Sequence, residues 1–189
     1  NSCLLIKYMF PKAHAVAYAM NAVRVGWYKV HEPAAYYAVY FSCRCDAYDI
    51  ETMLQGKVAI YNRLKEIEDR IAAGEKVTKR EEDLVLVLEI ALEMYLRGYH
   101  FNNICIDKSQ ASNFIIDPDD EFGIIPSFTS VDGLGKAVAD SIVEQRENQS
   151  FISKEDLQKR TAINNTQMAF LERMGVLDHL EEENQLSLF

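Results

Sequence analysis

Val131-Asp132-Gly133-Leu134-Gly135-Lys136-Ala137 sets two glycines around one apolar residue, directly ahead of a run with helical character. Glycine permits the left-handed backbone of a tight turn, and its missing side chain lets another backbone come close. The run that follows predicts a helix from Val138 to Glu147. Further short helices are predicted over Lys154 to Arg160 and Thr166 to Met174. Upstream the texture differs. Ile104 to Asp107 and Asn113 to Asp117 are short β-branched runs that predict two strands, and Asp117-Pro118-Asp119-Asp120 is a turn signal. A domain boundary is expected between Gly98 and Ile125.

The first hundred residues read as helices. Pro11 to His31 is rich in alanine, and Val16, Met20, Val23 and Trp27 recur at spacings of three and four. Pro11 suits a first-turn position, where its missing N–H would be unpaired in any case. Glu32-Pro33 ends that helix, because the residue before proline disfavours the helical region. A second helix is expected from Ala34 to Cys43 and a third, continuous one from Asp49 to Ala72, with Gly74 as its stop. Thr78 followed by Glu81 resembles a capping box and opens a fourth helix to about Arg97. The fold class is therefore mainly α with a small β element.

The 189 residues carry 20 Lys and Arg against 29 Asp and Glu, a formal charge of −9, with 49% hydrophobic and 26% charged residues. This is the balance of a folded protein rather than a disordered one. The charge is uneven. Residues 1–45 hold Lys7, Lys12, Arg24, Lys29 and Arg44 against Glu32, which is +4, so the other 144 carry −13. A negative chain argues against a general nucleic-acid or membrane binder. Cys3, Cys43, Cys45 and Cys105 form no CxxC pair, so a four-thiolate zinc site is not expected and the thiols read as reduced, in a cytoplasmic protein. No apolar run reaches the ~20 residues of a membrane span. The chain begins with Asn1, not Met, and reads as a piece of a longer protein.

Three stretches are candidates for chemistry. At the glycine hairpin, the amides of Gly133, Leu134, Gly135 and Lys136 would face an anion at a helix N-terminus. This looks like the hairpin of a helix–hairpin–helix element, which grips a sugar-phosphate backbone without reading bases. The alternative is a plain interhelical turn, favoured by the nearby Asp132 and Asp140; Lys136 argues the other way. A third glycine and a preceding parallel strand are missing, so it is not a dinucleotide fingerprint. Phe151 to Leu180 has the texture of a degenerate second copy whose turn, Thr161-Ala162-Ile163-Asn164, lacks both glycines and is expected only to pack. The second stretch is Gln185-Leu186-Ser187-Leu188-Phe189, whose apolar side chains follow Glu181-Glu182-Glu183 and need a partner to bury them. The acidic run itself reads as a solvated tail. The third is the basic head, where His14 and Tyr18 stack one helical turn apart near Lys12, with Arg24 beyond. No nucleophile elbow, Walker loop, HExxH or paired-carboxylate motif is present, so no catalytic residue and no metal ligand is assigned.

Phe10-Pro11-Lys12-Ala13-His14-Ala15-Val16-Ala17-Tyr18, with Lys29-Val30-His31-Glu32-Pro33-Ala34-Ala35-Tyr36-Tyr37 after it, resembles the fingers region of bacterial C-family replicative DNA polymerases. The order that follows, a helical pair, short strands, the Gly-Leu-Gly hairpin and the Gln-Leu-Ser-Leu-Phe end, is similar to the C-terminal part of the PolC-type alpha subunit. The resemblance covers essentially all 189 residues. It implies fingers over 1–100, short strands and a linker over 101–124, a helix–hairpin–helix duplex-binding domain over 125–180 and a tail with a clamp-binding peptide over 181–189. It further implies that Lys12, His14, Tyr18 and Arg24 face the phosphates of an incoming deoxynucleotide triphosphate. Gly133, Leu134, Gly135 and Lys136 would hold the primer-template duplex, and Gln185, Leu186, Leu188 and Phe189 would dock on the bacterial sliding clamp. The family uses magnesium held by palm aspartates, which this segment would lack, so it should be inactive without the rest of the polymerase chain. One departure is the acidic balance of 122–180, with eight acids against six bases. Two alternatives remain. A non-enzymatic adaptor could join such a hairpin to a clamp peptide, but has no reason to carry the Phe10 to Tyr18 stretch. In an interaction module only the tail would bind.

Overall fold

The structure, a computed structural model, describes residues 11–183. Among these are eight α-helices and a three-stranded sheet. Helix α1 spans Lys12–His31, with Pro11 at the N-cap rather than inside the first turn. It contributes no buried residue. Pro33 opens α2 (Pro33–Cys43), whose Tyr37, Ala38 and Phe41 are buried. Two ties hold the end of α1 to the body. The Lys29 ammonium donates to Glu93 at 2.7 Å, and the Arg97 guanidinium donates to the Lys29 carbonyl at 2.8 Å.

The continuous helix expected over Asp49 to Ala72 is two helices, α3 (Ile50–Leu54) and α4 (Lys57–Ala72). Gly56 between them has φ +93°, a left-handed conformation that no continuing helix contains. The apolar spacing carried no sign of that break. The Asp49 side chain caps α3 by accepting the Thr52 N–H. Helix α4 then stops at Gly74, also left-handed, where the Glu75 N–H reaches back to the Arg70 carbonyl at 3.0 Å. Helix α5 (Lys79–Leu96) begins with a complete capping box between Thr78 and Glu81. The α4–α5 pair buries Ile60, Leu64 and Ile67 against Leu84, Val87, Leu88, Ala91 and Met94.

The sheet runs β1–β3–β2, with β1 (His100–Phe101) parallel to β3 (Asp120–Ile125) and β2 (Ile115–Asp117) antiparallel to it. Two strand expectations change. Ile104 to Asp107 is a loop: Ile104 and Ile106 are buried, but the Cys105 N–H donates to the Ser109 hydroxyl and the Ser109 N–H to the Cys105 carbonyl. Alternation there serves the core, not a ladder. Of Asn113 to Asp117 only the last three residues pair.

Two clusters of buried side chains organise the chain. One joins α2, α4, α5 and the sheet through Phe41, Phe101, Phe114 and Ile124. The other collects Ile104, Ile106, Phe128, Val131 and Leu134 with helices α6 (Lys136–Asn148), α7 (Lys154–Arg160) and α8 (Asn165–Arg173). Ile50 belongs to the second cluster, and the next apolar residue of α3, Met53, to the first. The acidic run is not a free tail at its start. The Lys154 N–H donates to the Glu181 carbonyl at 2.8 Å, and Ser153 and Glu181 form a parallel β-bridge.

Candidate functional site

Val131 and Leu134 are both buried, and the Leu134 N–H donates to the Val131 carbonyl at 3.1 Å. These two side chains pin a loop whose tip, Asp132 and Gly133, is left at the surface. Gly133 takes φ +79°, which a side chain would strain. Gly135 is different. It is the N-cap of α6 with φ −69° and ψ 162°, a backbone any residue adopts, and a Cβ built there meets nothing within 4 Å. Nothing inside the protein requires glycine at 135. What glycine provides there is open access from outside.

The N–H groups of Gly135, Lys136 and Ala137 precede the first intrahelical donor; the Val138 and Ala139 N–H groups already return to the Gly135 carbonyl. They sit at the positive end of a 13-residue helix. Of the four residues expected to offer amides, Leu134 is the exception, since its N–H is already committed to Val131.

The stretch from Phe151 to Leu180 packs against the hairpin. At its turn Ile163 is buried, and Leu157, Met168, Leu171, Val176 and Leu177 pack in the same cluster as Val131, Leu134, Ala139 and Ile142. Asn164 and Gln167 form a capping box at α8. The Gln167 amide also reaches across, its Nε2 donating to the Gly133 carbonyl at 2.7 Å. One side chain thus closes its own helix and holds the hairpin tip. On the other flank the Arg80 guanidinium of α5 donates to the Asp132 carboxylate and, at 3.0 Å, to the Tyr48 carbonyl. Gln167 and Arg80 were not among the residues expected from sequence. Asn164-x-x-Gln167 is a legible capping signature, whereas the pairing of Arg80 with Asp132, 52 residues apart, has no local signal.

The six basic side chains from Phe122 to Leu180 are all engaged. Lys136 pairs with Asp140, Lys159 with Glu155, Arg173 with Glu51, and Lys154 with Glu172 and Glu182. Arg160 pairs with Asp156 and caps α6 by donating to the Gln145 and Gln149 carbonyls. Arg146 donates to the Ile106 and Ser109 carbonyls at 2.8 Å each, and burial lowers its pKa. At the hairpin itself, Lys136 keeps its side chain 72% exposed beside the amides.

On α1, His14 and Tyr18 meet edge to face with centroids 4.5 Å apart. Lys12 lies roughly 160° around the helix from His14, given 3.6 residues per turn, and is not brought beside that pair. Arg24 stands about three turns further along. All four side chains are exposed. Gln185, Leu186, Leu188 and Phe189, like Phe10, lie outside the described residues. Among the described residues no three His, Cys, Asp or Glu side chains converge on a possible metal position. No described helix is long and apolar enough to cross a membrane.

Residues 98–186 match a family model described as a helix-hairpin-helix motif. Over its full length the chain is 46% identical to the DNA polymerase III PolC-type of Listeria innocua serovar 6a. It is 47% identical to that of Bacillus subtilis (strain 168) and 46% identical to that of Caldanaerobacter subterraneus subsp. tengcongensis. It spans 13% of the length of each. With a helix-hairpin-helix region over its second half and this identity from end to end, the chain is related throughout to a segment of PolC-type DNA polymerase III, the family its sequence resembles.

Proposed function

We propose that this chain works as part of a replicative DNA-directed DNA polymerase, holding duplex DNA behind the site of nucleotide addition through the hairpin of residues 131–137. The supporting observation is Gly135. Its backbone is ordinary, its Cβ position is empty, and it caps a helix whose first amides have no internal acceptor. A phosphate oxygen is the natural acceptor for such a group. The amides are neutral donors aimed at a phosphate, and the exposed Lys136 beside them adds a cation of its own. Both address the backbone rather than the bases, so the grip is sequence-independent. The relatives are DNA polymerase III proteins, and it is from them that the polymerase assignment comes to this segment.

The decisive experiment is a duplex titration with Gly135→Val. A Cβ at 135 meets nothing within 4 Å and places a side chain beside the amides. Affinity should therefore fall at least about tenfold, equally for unrelated sequences, a larger loss than any change in thermal stability from replacing glycine at an N-cap accounts for. Wild-type affinity would remove the hairpin from duplex binding.

In the same reading, α1 belongs to the nucleotide-facing part, with His14 and Tyr18 on one side and Lys12 and Arg24 displaced from them. In the parent polymerase, which would use magnesium carried outside this segment, Lys12→Ala should raise the nucleotide concentration needed for half-maximal rate. A variant altered only in stability would make Lys12 structural. The pentapeptide ending at Phe189 is assigned to the sliding clamp.

A further inference from the structure

The loop that offers these amides also carries a carboxylate. Asp132 immediately precedes Gly133, and its side chain is 63% exposed. A negative charge at the tip of a phosphate-binding turn would oppose an approaching phosphate by a Coulomb term that is not negligible at close range. The chain answers it from far away. Arg80 stands in the first turn of α5, where a cation is disfavoured by the helix dipole, so its own helix gives no reason for its position. Its guanidinium is anchored on the Tyr48 carbonyl and directed at Asp132. With side chains 55% and 63% exposed, such a pair contributes little to stability.

Resting on the reading that this hairpin binds duplex DNA, we propose that Arg80 is an electrostatic positioning residue for it: it neutralises Asp132 so that a backbone phosphate can approach Gly135 and Lys136. The helical part of the chain thereby sets the affinity of the hairpin part without touching DNA.

The test uses the intact chain, a mixed-sequence duplex at low salt and five proteins: wild type, Arg80→Ala, Asp132→Asn, the double variant and Gly135→Val. Arg80→Ala should weaken binding about tenfold, an effect that shrinks as salt rises. Asp132→Asn, which leaves the Arg80 charge uncompensated, should bind at least as tightly as wild type, and adding it to Arg80→Ala should restore affinity to within about twofold of wild type, because no charge is left to neutralise. A residue that merely ties the hairpin in place predicts otherwise, since Asp132→Asn breaks the same tie. Three results overturn the inference: Arg80→Ala binding normally, the double variant staying as weak as Arg80→Ala, or Asp132→Asn binding as poorly as Arg80→Ala. If Gly135→Val alone binds like wild type, the hairpin reading fails and takes this inference with it. If Gly135→Val is weak while Arg80→Ala is normal, only the role of Arg80 is lost.

Discussion

Gly133 and Gly135 are two residues apart and hold their places for different reasons. Gly133 has φ +79°, so a side chain there strains the backbone whatever space surrounds it. Gly135 sits in extended backbone with nothing near its Cβ position. Gly133→Ala should therefore cost about 1–2 kcal/mol of folding stability. Gly135→Ala should be neutral within about 0.5 kcal/mol, the looser unfolded chain of glycine offsetting its adequacy as a cap. Chemical denaturation of the two variants checks the contrast; equal losses would mean that Gly135 also has a structural duty. Gln167 belongs to the same scale. Its two amide atoms face different ways, Oε1 accepting the Asn164 N–H at 2.9 Å while Nε2 holds the Gly133 carbonyl, so an ordinary cap doubles as a support for the tip.

At the level of elements, the α4–α5 pair shows how much of a helix start can be written in four residues. Thr78 accepts the Glu81 N–H, Glu81 accepts the Thr78 N–H, and Arg70 from α4 donates to the same carboxylate at 2.6 Å. The Thr78 backbone bond first, and Arg70 next, pull the Glu81 carboxyl down to about 2 from its usual 4.5. A carboxyl whose folded pKa lies below its unfolded value stabilises the fold while ionised. That contribution is complete above about pH 5 and is lost as pH falls through 4.5 towards 2. Glu81→Gln should flatten the acid limb of a stability-against-pH curve between those values. An unchanged limb would place the acid sensitivity in other carboxylates.

For the molecule as a whole, the telling feature is how little of α1 is covered. Twenty residues form a helix with no buried side chain, while Val16, Met20, Val23 and Trp27 are exposed together with Tyr18 and Tyr28. The apolar spacing that predicts this helix is that of a packed one, and within these residues the packing is confined to its end, at Lys29. That fits a segment spanning 13% of its relatives' length. The opposite end is organised by pairing: the backbone at Glu181 and Glu182 is hydrogen-bonded to Lys154 and Glu155, which fixes the chain just ahead of the assigned clamp peptide. Removing residues 185–189 should abolish binding to a bacterial sliding clamp and leave duplex affinity and the thermal transition unchanged. A truncated chain that still binds the ring would refute the tail assignment.

Local chemistry was readable directly from the residues. Thr78 and Glu81 announced a helix start, Gly74 a helix end, Pro33 a boundary, and the glycine pair at 133 and 135 a turn, because each depends on neighbours within about five positions. Chain-wide kinship was readable too, since the Phe10 to Tyr18 stretch, the hairpin and the last five residues occur in a specific order. Tertiary structure alone decided the rest. It broke the expected long helix at Gly56, made a buried loop of Ile104 to Asp107, and brought Arg80 to Asp132 and Gln167 to Gly133. Those outcomes depend on which surfaces are buried together and on groups 34 to 52 residues apart, and a spacing pattern along the chain carries no information about such partners.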